Sequence, residues 1–186
     1  MQTAVLSSRV TRYKPMARVD EPDLEFFIPD DAETQLNLDI NMSVRGNLVA
    51  EDGSALDSAY GTTVVRNLLH SLFSQCIVIL NGVSLSSSKV LYNYRAYLDT
   101  LLTYGHDASQ SNLTSAFWYP DEGDFSTHNP PNEALILGYQ VRSKVTYKSA
   151  EIEMYGCVHN DLFNVFRLLL PGVQLQIKFT KSKSDF

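Results

Sequence analysis

The dipeptide Asn81-Gly82 constrains the fold of this chain more than any other local feature. An apolar run at 76–80 precedes it, and an apolar-polar alternation at 83–85 follows it. A type I′ turn needs positive φ at both central residues, and Asn followed by Gly adopts this geometry readily. The sequence therefore predicts an antiparallel hairpin here, in the middle of the most structured stretch of the chain, residues 64–119.

Period-two alternation of apolar and polar residues predicts further strands. It is strictest at 36–44, where every second side chain is Leu, Ile, Met or Val and the residues between are Asn, Asp or Ser. Such alternation is typical of a strand with one buried face. Gly46 is expected to end this strand or to introduce a bulge. The other predicted strands lie at 24–28, at 135–147 (one long strand, or two joined by a bend near Ser143), at 151–154 and at 173–179.

Apolar residues at helical spacing predict two amphipathic helices in the central stretch. The first lies at 65–73, and Thr62 or Thr63 can cap its start. The second lies at 94–102, and Gly105 stands where a C′ residue is expected.

Two further segments carry helical signals. A short helix is predicted at 162–170, with Asn160 as its cap and Pro171-Gly172 as its terminator. A helical turn is expected near 109–118. The residues after it, through 133, are rich in Asp, Gly, Asn and Pro, which is typical of a surface loop.

The order of these elements indicates the fold class. One-faced strands without a regular strand-helix-strand alternation indicate antiparallel sheets. Helical insertions between strands favour a jelly roll over an immunoglobulin-like domain. We therefore expect an all-β fold, an antiparallel jelly-roll sandwich with two or three short helices in the connections. The expected organisation is a flexible N-terminal arm at 1–22 and a single jelly-roll domain at 23–186.

The beginning of the arm is basic. Its first eighteen residues contain Arg9, Arg12, Lys14 and Arg18, no acidic residue and no hydrophobic periodicity. Two interpretations stay open: the arm orders against a neighbouring molecule, or it is a solvated terminus.

Charge and composition exclude several classes of protein. The chain has 15 basic and 21 acidic residues and a net charge of −6, so direct nucleic-acid binding is not expected. It has no apolar run long enough for a membrane span, and its N-terminus has no sustained apolar region of the kind found in secretory signals. The glycosylation sequons at Asn41 and Asn112 are therefore interpreted as chance matches.

The histidines offer little support for catalysis or metal binding. His70, His106, His128 and His159 include no pair at the i, i+4 spacing of a metal-binding helix. His70 is expected to be a partly buried structural residue. His159 and Asp161 resemble an acid–base pair, but capping by Asn160 or Asp161 explains the same residues more simply.

Other candidate groups also have simpler interpretations. The acidic residues Asp121, Glu122 and Asp124 are interpreted as a solvated loop rather than a calcium site. The aromatic run at 117–119 is expected to pack in the core or an interface rather than to form a stacking platform. Cys76 and Cys157 are expected to be buried free thiols. We predict no catalytic, cofactor-binding or metal-binding residue, no cofactor, and a protein that is not an enzyme.

Residues 67–105 read NLLHSLFSQCIVILNGVSLSSSKVLYNYRAYLDTLLTYG, and SNLTSAFWYPD follows at 111–121. These phrases resemble the major capsid protein of Polinton (Maverick) elements and their viral relatives. The other matching segments are Phe26-Phe27-Ile28-Pro29, GCVHNDLF at 156–163, LLPGV at 169–173 and KSKSDF at 181–186. The resemblance covers about residues 24–186.

The resemblance implies a double jelly-roll capsomer, three copies of which form a pseudo-hexagonal unit that tiles an icosahedral shell. The chain has the length of one roll and resembles the N-terminal one. The implied partners are a second jelly roll of the same longer chain, further copies in a trimeric capsomer, and a minor (penton) capsid protein. The implied location is the virion capsid, after synthesis in the cytoplasm or nucleus of the host cell.

A second class of function fits the same fold. Jelly rolls also serve as ligand-binding modules that recognise carbohydrate or a cell-surface partner. A ligand module should have a concave site with exposed aromatic and convergent polar groups, whereas a capsid tile should have broad flat sides. The number of apolar and aromatic residues leads us to expect self-association.

Overall fold

The computed structural model describes residues 8–16, 18–31, 33–56, 64–85, 91–121, 137–165 and 168–183. The strands in these ranges are β1 Asp23–Ile28, β2 Leu36–Asn37, β3 Asn41–Gly46, β4 Phe73–Leu80, β5 Val83–Ser84, β6 Ile152–Cys157, β7 Leu168–Leu169 and β8 Leu175–Lys181. The α-helices there are α1 Leu68–Ser71, α2 Tyr92–Thr103, α3 His106–Ser109 and α4 Leu137–Val145. The 3-10 helices within the same ranges are Asn112–Ala116, Tyr147–Ser149 and Asp161–Asn164.

A four-stranded antiparallel sheet holds the two ends of the described chain together. Its strand order is β1-β8-β4-β5. β8 pairs with β1 from Asp23↔Thr180 to Ile28↔Leu175 and with β4 along its other edge. Because side chains alternate along a strand, Leu175, Ile177 and Phe179 all lie on the buried face of β8.

The strand pairs are nested. β1 pairs with β8, β2 with β7, β3 with β6 and β4 with β5, each antiparallel. The innermost pair turns at Asn81, with φ 46°, and Gly82, with φ 80°. The predicted Asn-Gly hairpin is therefore confirmed, with positive φ at both central residues. Among the described residues the sheets are antiparallel and do not close, and short helices connect their strands, so this coarser part of the expected fold is confirmed.

Two apolar clusters form the core, and partly buried side chains join them. The first lies against the four-stranded sheet and includes Leu24, Ile28, Leu38, Phe73, Cys76, Val78, Tyr92, Val158, Leu175, Ile177 and Phe179. The second consists of Val64, Leu69, Ala116, Phe117, Ile152 and Met154. Met42, Val44 and Leu72 pack against both clusters, so the two cores are continuous.

The strand predicted at 36–44 is divided in two. β2 ends at Asn37, whose side-chain oxygen accepts a hydrogen bond from the Asp39 N–H at 3.2 Å. Such a local side-chain bond competes with the regular strand ladder. β3 then begins at Asn41 and ends at Gly46, as predicted for that glycine.

The helix predicted at 65–73 is shorter than its periodicity indicated. α1 covers Leu68–Ser71, because Asn67 adopts a left-handed conformation (φ 62°) at its start and β4 begins at Phe73. Leu69 and Phe73 are buried as expected, but Val65 is half exposed. Thr62 and Thr63, the predicted caps, lie outside the described residues.

The strand prediction at 135–147 is wrong, because Leu137–Val145 forms the helix α4. Val141 and Val145 are four residues apart, so the apolar spacing here fits a helix as well as a strand. The helix buries Arg142, which the period-two pattern had placed on a solvated face. Three acceptors on other segments bind its guanidinium group, and they stabilise the helical arrangement.

The predicted helix at 162–170 is correct only in its first turn. The side-chain oxygen of Asn160 accepts the Leu162 N–H at 3.1 Å and caps the 3-10 helix Asp161–Asn164, as predicted. Val165 is already extended, and Leu168–Leu169 pairs with β2 as β7. Pro171-Gly172 therefore ends a strand rather than a helix, with Gly172 at φ 78°.

The predicted helix at 94–102 is confirmed as α2, and the helical turn near 109–118 is confirmed as α3 with the 3-10 helix Asn112–Ala116. Gly105 holds the C′ position after α2, but its φ of −83° is not left-handed. Residues 8–16 of the arm are largely exposed and have no assigned helix or strand. Residues 122–133 of the predicted loop lie outside the described residues.

Candidate functional site

Two features of α2 stand out as candidate functional elements. On its inner side, the helix covers a cluster of polar and titratable groups. On its outer side, it carries leucines that the rest of the described chain leaves exposed.

The inner cluster is built around two buried imidazoles. α1 supplies His70, whose Nδ1 lies 3.0 Å from the hydroxyl oxygen of Tyr92 on α2. His159 follows β6, and its ring meets that of His70 nearly edge to face, with centroids 4.7 Å apart. His70 was expected to be partly buried, and its burial is in fact nearly complete.

Charged residues close the outer edge of this cluster. His159 Nδ1 lies 3.4 Å from an oxygen of Asp99, which also lies 3.5 Å from Arg95 one turn earlier on α2. Arg95 donates to Asp161 at 2.9 Å. His159 and Asp161, which were considered as an acid–base pair, thus contact different residues of α2, Asp99 and Arg95.

Burial keeps the inner groups neutral. Desolvation, helped by the nearby His159, lowers the pKa of His70 to about 3. Desolvation also lowers the pKa of His159, although the Asp99 carboxylate opposes this shift. Burial raises the pKa of Tyr92 well above its usual range and that of the Cys76 thiol to about 12. The thiol of Cys76, the phenol of Tyr92 and the two imidazoles are therefore neutral, and this cluster provides no activated nucleophile.

The aromatic run at 117–119 belongs mainly to the interior. Phe117 and Trp118 are buried, which confirms core packing for these two rings. The Arg66 guanidinium lies 4.4 Å from the Trp118 ring and 5.1 Å from that of Tyr97. The arginine thus covers a ring face that a stacking ligand would need.

A buried ion pair was missed by sequence reasoning. Arg142 donates to Asp121 at 2.7 Å, to the carbonyl oxygen of Val64 at 2.9 Å and to that of Tyr119 at 2.6 Å. The interpretation of Asp121 as a solvated residue is wrong, because only 11% of its side chain is exposed. Its sequence neighbours Glu122 and Asp124 lie outside the described residues. The spacing of Val141 and Val145, interpreted as helical, was the sequence signal that could have placed Arg142 on a buried face.

The remaining candidates have local roles. His106 contacts Gln110 at 2.9 Å, and His128 lies outside the described residues. Both thiols are free, as predicted, and Cys76 is buried as expected, whereas Cys157 is only half-buried. Within the described ranges, no group of three or more His, Cys, Asp or Glu side chains is arranged to hold a metal ion.

The outer face of α2 is unexpectedly apolar. Leu98, Leu101 and Leu102 are 52%, 50% and 81% exposed. The side chains that the helix buries are instead Tyr92, Asn93, Ala96 and Thr100. Sequence periodicity identified the apolar stripe of this helix correctly but implied that it faced the core.

An open depression of about 490 Å³ lies beside α4. Its lining residues are Tyr139, Gln140, Ser143, Lys144 and Tyr147. All five come from one helix and the turn that follows it, so the depression is the side of a single element. None of the helices in the described parts of the chain has the length and apolar character that a membrane crossing requires.

No protein-family model, no curated protein and no solved structure matched the chain when it was compared with them.

Proposed function

We propose that the chain is a structural protein, a jelly-roll building block of an icosahedral shell of the Polinton type. The observation that carries this proposal is the nested pairing of β1 with β8, β2 with β7, β3 with β6 and β4 with β5. A jelly roll is an eight-stranded fold of two Greek keys, and a long antiparallel hairpin folded back on itself gives this pairing.

The sequence resemblance supports the same proposal from different evidence. The resembling phrases at 67–105 and 111–121 contain the hairpin at Asn81-Gly82, the helix α2 and the buried aromatic run. The backbone pairing depends on the strands, whereas the resemblance depends on side-chain identity. Agreement between the two favours a jelly roll of capsid type over a jelly roll of another class.

The exposed leucines of α2 favour a shell tile over a ligand-binding module. A fold alone does not fix function, so we use surface features to distinguish a capsid tile from a ligand-binding module. The depression beside α4 is lined by residues 139–147 alone, and polar groups from different elements do not converge in it. The exposed leucines of α2, in contrast, are the kind of surface that another protein molecule covers.

The proposed assembly has three kinds of contact. Copies of the chain associate in a trimeric capsomer, each copy sits beside a second jelly roll of the same longer chain, and a minor (penton) capsid protein fills the vertices. The proposed location is the virion capsid. Association between copies depends on apolar burial, which does not require a ligand or a cofactor.

Electron microscopy and analytical ultracentrifugation of the purified chain test the proposal. We expect concentration-dependent oligomers and, on concentration or on co-expression with the second roll, capsomers or shells. A monodisperse monomer at the highest attainable concentration, both alone and with the second roll, would sink the proposal. A glycan-binding screen, with Tyr139→Ala as its control, tests the alternative: binding lost in that variant would favour the ligand-binding module.

A further inference from the structure

The helix α2 is amphipathic in the opposite sense to a normal surface helix. Its inner face uses Ala96 and Thr100, a small and a polar residue, to pack against the body of the protein. Its outer face carries Leu98, Leu101 and Leu102, which are at least half exposed. Residues at these spacings lie on one side of a helix, opposite Ala96 and Thr100.

The outer stripe extends along the whole helix. Leu91, directly before the helix, is also about half exposed, and the Tyr94 ring lies on the same side. With a rise of 1.5 Å per residue, the stripe from 91 to 102 is about 16 Å long. Leu98 lies near its middle on the side that faces away from the sheet.

We infer that this stripe, Leu91, Tyr94, Leu98, Leu101 and Leu102, is an interface between two copies of the chain, in which α2 of one copy packs antiparallel against α2 of the other. The inference rests on the proposed function in one respect, since both require self-association. It goes further, because it assigns that association to one helix face and to a two-fold arrangement centred near Leu98.

The exposed area is consistent with a second copy as the occupant. At roughly 200 Å² for each large apolar residue, the exposed parts of the stripe amount to about 600 Å² per copy. Two copies that pack through the same face thus bury up to about 1,200 Å², the low end of the range for a specific interface. A reversible, concentration-dependent dimer is the expected result.

Charge supports the same occupant. The stripe contains no charged residue, and the charged residues of α2, Arg95 and Asp99, are engaged with each other and with Asp161 and His159. A contact through a neutral surface allows two chains of net charge −6 to meet without close like-charge pairs. The basic N-terminal segment has no carboxylate to pair with on this face, so it is a poorer occupant.

Sedimentation of matched variants tests the inference. Leu102→Glu changes an 81% exposed leucine on the stripe, and Leu170→Glu changes a 70% exposed leucine between β7 and β8. Both substitutions add one carboxylate to an exposed position, and circular dichroism verifies folding. We expect Leu102→Glu to raise the dimer dissociation constant by more than about tenfold and Leu170→Glu to leave it unchanged.

Disulfide trapping tests the two-fold arrangement. In a Cys157→Ser background, Leu98→Cys should form a covalent dimer on mild oxidation, whereas Leu170→Cys should not, because only a residue near a two-fold axis meets its own copy. Raising the salt concentration should strengthen the dimer, since it screens repulsion between acidic chains.

The outcomes separate this inference from the proposed function. Oligomers that persist unchanged in Leu102→Glu, or the absence of a Leu98→Cys dimer, would overturn the α2 interface while leaving self-association intact. Loss of the dimer in Leu102→Glu without capsomers or shells under any condition would support the interface and contradict the capsid proposal. A wild-type chain that stays monomeric by itself would overturn the α2 interface, and one that also stays monomeric with the second roll would overturn both.

Discussion

The rings of His70 and His159 meet nearly edge to face, with centroids 4.7 Å apart, beneath the helix α2. The two residues lie on segments far apart in the sequence, since α1 precedes the hairpin and His159 follows β6. Tyr92 contacts the first imidazole and Asp99 the second, so α2 covers both. The contact between the histidines therefore depends on the packing of α2 against the rest of the protein.

Mild acid should destabilise the protein through this pair. The pKa of His70 is about 3 in the folded state, against about 6.5 when unfolded, and the pKa of His159 is lowered in the same direction. The folded state therefore binds protons less readily than the unfolded state. The contribution of these histidines to the free energy of unfolding is fully present above pH 6.5 and is lost as pH falls toward 3. The free energy of unfolding in urea should drop by about 2 kcal/mol between pH 7.5 and 5 for His70 alone.

His70→Gln is the variant that isolates this effect. It should weaken the pH dependence between 7.5 and 5, whereas His106→Gln, on the exposed side of α3, should leave it unchanged. The groups that face the imidazoles are Tyr92, Asp99 and, through Asp99, Arg95. Identical pH profiles for the wild type and His70→Gln would contradict the assignment.

Removing the Tyr92 hydroxyl should leave the His70 Nδ1 without this partner in a buried site. An unsatisfied buried polar atom costs about 1–3 kcal/mol, so Tyr92→Phe should lower the free energy of unfolding by that amount. Tyr155→Phe, at a half-exposed position on β6, is the matched control and should have little effect. Equal midpoints in urea for the two variants would show that the contact contributes nothing.

Breaking the ion pair of Arg142 and Asp121 should be costly. Each side chain is almost completely buried, and the guanidinium group also binds two backbone carbonyls. Arg142→Ala leaves a buried carboxylate and two acceptors unpaired, which should lower the free energy of unfolding by about 3–5 kcal/mol. The double variant with Asp121→Ala should lose less than the sum of the two single losses.

The pair of Arg45 and Glu153 provides the control for this experiment. Its side chains lie 3.0 Å apart on β3 and β6, but both are more than half exposed. Exposed ion pairs contribute little to stability, so Arg45→Ala should leave the urea midpoint nearly unchanged. A comparable loss in both variants would mean that burial is not what makes Arg142 important.

Local signals in the sequence predicted the elements that depend on backbone chemistry. Asn81-Gly82 specifies a turn because its φ values are difficult for other residues, and Asn160 specifies a helix start because its side chain accepts a free N–H. The period-two pattern predicted a strand at 135–147 incorrectly, because the apolar residues there fit a helical repeat equally well. The contacts of Arg142 with Val64 and Tyr119 favour the helix. Those contacts join distant segments, and no local pattern contains them.

The candidate site shows a second limit of pattern reasoning. The apolar stripe of α2 was found by its spacing, but spacing does not tell whether a stripe faces the core or another molecule. The inner face of α2 was not predicted, because Ala96 and Thr100 carry no apolar signal and His70 and His159 come from other elements. A helix whose polar side is buried against a sheet can be recognised only when the packing is known.

The hairpin turn at Asn81-Gly82 offers a substitution with a closely matched control at Gly105. Gly82 and Gly105 both have open space where a Cβ would stand, but Gly82 has φ +80° and Gly105 has φ −83°. Gly82→Ala should therefore lower the free energy of unfolding by about 1–2 kcal/mol through backbone strain, and Gly105→Ala should have no such cost.

The same turn is hydrogen-bonded to the residue that precedes β8. The Asn81 N–H donates to the Gln174 carbonyl oxygen at 3.0 Å, and the Gln174 N–H donates to the Asn81 side-chain oxygen at 2.9 Å. Amide hydrogen exchange should accordingly show loss of protection in β5 and at Gln174 in Gly82→Ala, and unchanged protection there would refute the coupling between the hairpin and β8.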